Sequence, residues 1–460
     1  MRNDERNRGD FYARIARRIV APLWAFKERS PYLKHLAYLK TSPYRPIGEV
    51  RADQWRRLKD LLGHAYRNTA YYAAAFRAGG IVPDDIASWE DFTRLPLLTK
   101  EDIRARKDDM VARNMPRERL MPKKTSGSTG VSLEFYVDEE SLQWKRACAL
   151  RHDMWTGWKL GERVGALWGN PEYRKNWRGH VRNALLERAI YLDTLKMDEQ
   201  EMLAFYYRIK RKKPTLLFGH AHSLFLFARF LDRRGLADIR PRGIISSAMV
   251  LHDFERREIE KVFDCSVTNR YGCEEVSLIA CECSEHKGFH INMDTLVVEF
   301  IREGRPVQAG EPGAVVVTDL TNRGMPFIRY KVGDVGVPSD RACRCGCTYP
   351  LIESLEGRSA DYVVTPEGKY ISGISLTENF AMLLGGIKQL QIVQEHLDYL
   401  IFRIVKGESF TSSLLKDLDR LVVQRFGKGI RYSVQFVDSI QQERSGKYRF
   451  CISNIKNPFT

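Results

Sequence analysis

The chain has 460 residues, of which 43% are apolar and 29% charged, with a formal net charge of +16. That length supports two or three domains with real cores, and the composition excludes a disordered or fibrous chain. No apolar run reaches the ~18 residues that a membrane-spanning helix requires. The opening MRNDERNRGD is charged and no apolar stretch with a small-residue cleavage site follows it, so no secretory signal is expected and the cytoplasm is the expected compartment.

In chain order, the first segment is basic. Residues 1–60 hold fifteen Lys/Arg against seven Asp/Glu, and residues 1–50 are set apart as a basic N-terminal segment. Phe11, Ile15, Ile19, Leu23 and Phe26 recur at helical spacing, with Arg14, Arg17 and Arg18 between them. Such a stripe either docks on its own protein, the commoner outcome, or lies on a membrane surface as a peripheral contact. Residues 54–78 read as one helix with Trp55, Leu58, Leu62 and Ala65 on a single face. In LPLLTKEDI, Pro96 breaks the chain, and Thr99 with Asp102 forms the signature of a helix N-cap.

Thr125-Ser126-Gly127-Ser128-Thr129-Gly130 follows, preceded by Lys123 and Lys124. Its glycines let successive backbone N–H groups turn inward beside hydroxyls, a nest suited to phosphate oxygens, although it is not a Walker A loop. Strand-like runs at 133–137, 164–168, 215–218, 243–246 and 314–318 alternate with helical stretches at 139–154, 198–211, 222–234 and 252–263, predicting α/β layers around a largely parallel sheet. A second basic run spans Arg208 to Lys213. It lacks the interleaved aromatics of a nucleic-acid stacking platform, and no nucleic-acid motif appears, so no nucleic-acid partner is expected. Trp168-Gly169-Asn170, His220 and His222 are candidates for the wall of a substrate pocket, against the blander reading of core or helix-start residues.

Four short motifs complete the pattern: Asn269-Arg270-Tyr271-Gly272-Cys273-Glu274-Glu275, Arg329 to Asp334 (RYKVGD), Gly357-Arg358-Ser359-Ala360-Asp361, and Ser445-Gly446-Lys447-Tyr448-Arg449. After GRSADYVV the pattern changes to strand (390–405), helix (411–426) and strand (431–437), as in a small α+β domain. Residues 51–357 are therefore assigned to a large N-terminal domain and 358–460 to a small C-terminal one.

Nine cysteines include two tight clusters: Cys273, Cys281 and Cys283, then Cys343, Cys345 and Cys347. With His286 and His290 close to Cys283, these are thiols of a reducing compartment that suit tetrahedral zinc better than disulfides. The expected ligands of a closed, structural zinc are Cys283, His290, Cys343 and Cys345, with His286 and Cys347 as substitutes.

From about residue 50 to 456, and on these motifs together with ECSEHKGFH at 282–290 and TDLTNRGMPFIRYKVGD at 318–334, the chain resembles the acyl-adenylate-forming superfamily. Within it, the chain resembles the phenylacetate-CoA ligase branch and its capsular-polysaccharide relatives. The resemblance implies an α/β fold: a large adenylate-forming domain of layered sheets and helices, plus a small mobile α+β C-terminal domain. It implies an AMP-forming acid–thiol ligase that joins a carboxylic acid to ATP and passes the acyl group to CoA.

Residue by residue, the loop Thr125, Ser126, Gly127, Ser128, Thr129, Gly130 would hold the β- and γ-phosphates, and Glu275 would bind Mg²⁺. Ser247 and Ala248 match the strand end that cradles adenine, with Tyr271 and Gly272 packed beside it. Asp334 would take the ribose hydroxyls, Arg358 the ribose or phosphate, and Lys447 the charge that develops as carboxylate meets α-phosphate. The chain departs from the family at Ala360, where an Asp usually forms the hinge, at Glu274 in place of Thr, at Met249 in place of Glu, and in the loop 364–372. The acceptor therefore stays open between CoA and an amine, hydroxyl or carrier thiol, and a non-catalytic nucleotide-binding relative is a further alternative. Dimers are common in the family, and a homodimer is carried over as an expectation.

Overall fold

The computed structural model describes residues 10–124, 133–168, 177–194, 197–358, 362–367, 370–372, 376, 386–407, 410–427, 429–440 and 451–455. The phosphate-loop candidate 125–130, Gly169, Asn170, Ala360, Asp361 and Lys447 lie outside them, as does the side chain of Arg358.

A short antiparallel hairpin, Leu120–Lys124 (β1) with Glu134–Asp138 (β2), precedes the main sheet. The main sheet is built from Val164–Leu167 (β3), Ala189–Leu192 (β4), Leu216–His220 (β5), Gly243–Ser247 (β6), Val267–Cys273 (β7), Ser277–Glu282 (β8), Phe289–Ile291 (β9), Leu296–Arg302 (β10), Arg305–Pro306 (β11), Gly313–Asp319 (β12), Tyr330–Ser339 (β13) and Leu351–Arg358 (β14). Its spatial order is β11-β10-β12-β13-β14-β9-β8-β7-β6-β5-β3-β4. Strands β4, β3, β5, β6 and β7 run parallel, and the rest pair antiparallel. The expectation of a largely parallel sheet thus holds for one half only.

The parallel half follows from its sequence. Gly243–Ser247 is buried along its whole length, and helices Glu199–Lys212, Ala221–Arg233 and Asp253–Phe263 bring Phe205, Phe227 and Phe263 onto it. Strands covered on both faces need continuous apolar runs. The antiparallel half packs its apolar side chains with those of helices Ile47–Asn68 and Ala70–Ala78. These two replace the single helix read over 54–78: Thr69 takes an extended conformation between them and its side chain caps the second, accepting from the Tyr72 N–H at 3.2 Å.

Residues after 361 form their own elements. Tyr362–Val364 (β15) pairs with Tyr370–Ser372 (β16), while Ile387–His396 (β17), Tyr399–Lys406 (β18), Arg431–Phe436 (β19) and Cys451–Ser453 (β20) form a second sheet in the order β19-β18-β17-β20. Helix Ser413–Phe426 covers it with Leu418, Val422 and Phe426 against Leu390, Ile392 and Phe402. The single strand read over 390–405 is a hairpin instead. The chain turns at Leu397-Asp398, and Asp398 holds Arg431 at 2.7 Å across the turn.

The N-terminal stripe reverses the commoner expectation. Helix 11–27, with a π-helical turn at Ala16–Val20, docks through Ala13, Ala16, Ala21 and Ala25, with Trp24 packed partly against the body, while Phe11, Ile19, Leu23 and Phe26 face away from it. Gly161 makes this possible: a Cβ there would lie 2.8 Å from the Ala13 carbonyl.

Candidate functional site

The parallel strands end on one rim, the place where open α/β sheets bind ligands. At the end of β6, the Ser247 hydroxyl donates to the Arg270 carbonyl at 3.3 Å. Ala248 then takes φ +67°, a left-handed conformation that costs a non-glycine residue about 1–2 kcal/mol. The chain therefore leaves the sheet sharply at Ser247-Ala248, the pair expected to face adenine. Beside it, β7 carries Tyr271 and Gly272 into a bulge against β8. A side chain at Gly272 would put its Cβ 2.4 Å from the Ser277 carbonyl oxygen, so only glycine fits.

Tyr271 reaches across to β13, its hydroxyl donating to Asp334 Oδ2 at 2.7 Å. The bend after β7 also brings the buried Glu275 beneath β13, where it accepts from the Tyr330 hydroxyl at 2.8 Å. Burial, reinforced by the adjoining carboxylates, pushes both phenols well above their ordinary range, and burial with Glu275 does the same to the Cys273 thiol. Both tyrosines therefore remain donors and hold two carboxylates in place. Asp334 faces Arg358 in the β13–β14 register, which sets the backbones of the RYKVGD motif and of Arg358 side by side.

Lys100 is the residue that sequence reasoning missed. Leu98 pairs with β13 through two backbone hydrogen bonds of 2.9 Å, from its N–H to the Arg329 carbonyl and from the Lys331 N–H to its own carbonyl. Arg329 locks this arrangement: its guanidinium donates to the Thr93 and Leu95 carbonyls and pairs with Glu299 at 3.0 Å. The Thr99 and Asp102 capping box then starts helix Lys100–Met110 and leaves Lys100 Nζ 3.9 Å from Glu275 Oε1. The only signal in the sequence was adjacency to the cap.

Trp168, at the end of β3, packs over His220 at the end of β5, with ring centroids 4.0 Å apart. His222 instead turns to the buried Glu255, 3.0 Å away, and joins two helices. Arg208 and Lys210 of the second basic run are engaged by the Tyr191 carbonyl and by Asp238.

The four expected metal ligands meet. The ligand atoms of Cys283, His290, Cys343 and Cys345 all lie within 4.8 Å of one another. Cys283 Sγ and Cys343 Sγ are 3.6 Å apart, and Cys345 Sγ is 3.3 Å from His290 Nε2. Tetrahedral zinc with Zn–S bonds of about 2.3 Å sets its sulfurs about 3.8 Å apart, so the set fits that ion. The His290 Nδ1–H donates to the Tyr349 carbonyl at 3.1 Å, leaving the Nε2 lone pair to face the sulfurs. His286 turns to Glu282, and the Cys347 backbone N–H donates to Cys345 Sγ at 3.4 Å, so neither substitute is needed. The set ties the β8–β9 loop and strand β9 to the β13–β14 loop.

The chain resembles known proteins over most of its length. A family model described as the CapK C-terminal domain matches residues 363–454. Protein CapK of Staphylococcus aureus is 25% identical over 437 residues, covering 92% of this chain and 94% of that protein. A phenylacetate-coenzyme A ligase of Thermus thermophilus is 24% identical over 327 residues, covering 69% and 72%. Among solved structures, a 2-hydroxyisobutyryl-CoA ligase in the postadenylation state superposes with a TM-score of 0.72 at 20% identity, over 90% of this chain and 91% of that one. Over most of its length the chain is thus similar to CapK and to the phenylacetate-CoA ligases, and it shares the fold of the 2-hydroxyisobutyryl-CoA ligase.

Proposed function

We propose that the protein activates a carboxylic acid with ATP, forming an acyl-adenylate and pyrophosphate, and then transfers the acyl group to CoA with release of AMP. The observation that carries this reading is a pair of tyrosine-held carboxylates, the half-buried Asp334 on β13 and the buried Glu275 just after β7, with Lys100 beside Glu275. Asp334 suits the two ribose hydroxyls, a job for a bidentate acceptor. Glu275 suits Mg²⁺, which prefers carboxylate and phosphate oxygens and, when bound, neutralises phosphate charge. Lys100 is positioned to balance Glu275 and the phosphates.

The phosphate loop 125–130, the Arg358 side chain and Lys447 complete the proposal on sequence grounds. Two anions must meet in the first step, so fixed positive charge and positioning supply most of the rate. Residues 358–460 would act as the small moving domain that carries Lys447. Cys283, His290, Cys343 and Cys345 would hold one structural zinc, which has no open position for substrate.

A second reading concerns the acceptor alone. The CapK relative matches 92% of the chain against 69–79% for the phenylacetate-CoA ligase relatives, and Ala360 stands at the usual hinge position. An acceptor other than CoA, such as an amine or hydroxyl of a saccharide, fits these two facts.

Pyrophosphate release from Mg·ATP is to be measured with a panel of aryl, fatty, hydroxy and amino acids, each with and without CoA. Release that depends on one acid and increases with CoA supports the CoA ligase. Acid-dependent release indifferent to CoA favours the second acceptor. ATP binding with no loss of release in Lys447→Ala contradicts the role given to that lysine.

A further inference from the structure

We propose that the N-terminal helix, together with helix Trp177–Arg182 and its continuation Asn183–Glu187, forms a platform that seats the protein on an anionic lipid surface. The two elements lie side by side. The Tyr12 hydroxyl donates to the Leu185 carbonyl at 3.1 Å, the Arg188 guanidinium stacks over the Tyr12 ring at 4.8 Å, and Leu186 is buried in one apolar cluster with Ala21.

Their outward residues are large and apolar. Phe26 is 85% exposed, Phe11 73%, Trp177 70%, Leu23 63% and Ile19 53%, and Val181 and Leu185 are exposed beside them. An ordinary surface helix buries its large apolar residues and exposes its small ones. Here the buried stripe is alanine, fitted against Gly161, and the exposed stripe is aromatic and aliphatic. That inversion leaves a large apolar face turned to the outside, which in soluble proteins marks a contact surface.

The charge around this face selects the occupant. The acidic groups of the two elements are already committed: Asp10 pairs with Arg188 at 2.6 Å and Arg163 at 3.1 Å, and Glu187 and Glu28 pair with Arg182 at 3.0 and 3.8 Å. Arg14, Arg18 and Arg29 are exposed and have no acidic partner among the described residues, and Lys27 sits over the Trp24 ring. Apolar side chains framed by uncompensated arginines match the boundary between acyl chains and anionic headgroups, where Trp and Phe seat and arginine meets phosphate. A second copy of the chain would bring the same positive charge to the face and be repelled. Among the described residues no helix is long and apolar enough to cross a membrane, so the contact is peripheral.

Flotation of the full chain with vesicles tests this. Binding to phosphatidylglycerol-rich vesicles is expected to be at least ~10-fold tighter than to phosphatidylcholine vesicles and to weaken with salt. The triple variant Phe11→Ser, Leu23→Ser, Phe26→Ser is expected to lose at least ~10-fold of that binding. Arg14→Glu with Arg18→Glu is expected to erase the preference for the anionic lipid. These side chains point outward, so both variants should keep the thermal midpoint of the parent, which is measured alongside. No binding of the full chain to either vesicle, or equal binding by the triple variant, overturns the proposal. So does a concentration-dependent dimer that the triple variant abolishes while vesicles stay unbound, which would assign the face to a second copy.

Discussion

The Tyr271 hydroxyl donates to Asp334 at 2.7 Å across a strand boundary, joining the motif expected at the adenine to the carboxylate expected at the ribose. Hydrogen bonds to a charged partner contribute about 1.5–3 kcal/mol. Tyr271→Phe removes the bond and keeps the ring, so the Kd for ATP should rise about 10-fold with the fold intact. Asp334→Ala should cost more, since it also removes the acceptor itself. Titration of ATP binding by calorimetry checks both.

Glu275 and Lys100 should behave as a coupled pair. Glu275→Gln keeps the shape and the Tyr330 hydrogen bond but removes the charge that would hold Mg²⁺. Adenylation should fall by about 100-fold and recover in part at high Mg²⁺, as expected for loss of an electrostatic anchor. Lys100→Met should lower adenylation less, and the double variant should lose less than the product of the two single losses, because the partners touch. Adenylation rates across a Mg²⁺ series decide this.

Purified protein should contain one zinc per chain. Cys343→Ser and His290→Ala should each lose it and lower the thermal midpoint by several degrees, since metal-binding energy is folding energy at a structural site. His286→Ala and Cys347→Ser should keep the zinc. Elemental analysis of each variant provides the test, and zinc retained in Cys343→Ser would contradict the ligand set.

Stability should fall as the medium is acidified below neutrality. His152 is fully buried, and desolvation, then the neighbouring Arg151 and Arg270, hold its pKa well below 6.5. The unfolded chain takes up a proton near pH 6.5 and the folded chain does not. The contribution is therefore complete above 6.5 and is lost as pH falls toward the depressed folded value, by at most about 1.4 kcal/mol per pH unit. His64, also depressed by burial, adds in the same direction. Its Nε2 lies 2.9 Å from the Arg323 carbonyl, and the His152 Nε2 lies 3.0 Å from Asn292 Oδ1. His152→Gln retains a donor toward Asn292 and should flatten the dependence of thermal midpoint on pH between 7 and about 5.

Much of the site could be read from the chain because its parts are local. Gly272 and the four metal ligands sit in short motifs whose chemistry is visible in a few residues, and strand 314–318 reads clearly because both of its faces are buried. Lys100 was not legible, since its nearness to Glu275 depends on Leu98 pairing with β13 far along the sequence. The β17–β18 hairpin was missed because Leu397-Asp398 lacks the glycine or asparagine that usually marks a tight turn. The N-terminal stripe shows a limit of periodicity: a helical repeat of Phe, Ile and Leu is the same whether it faces inward or outward. Only the distant Gly161, which admits the alanine face, decides between the two.

The central claim is that this site joins a carboxylate to AMP. Label exchange between pyrophosphate and ATP, followed with one acid from the responsive class and without CoA, tests it most directly. The account predicts exchange that requires the acid and Mg²⁺ and that collapses in Glu275→Gln and Lys447→Ala. Exchange independent of any acid, or none in a protein that binds ATP and releases pyrophosphate, would contradict it.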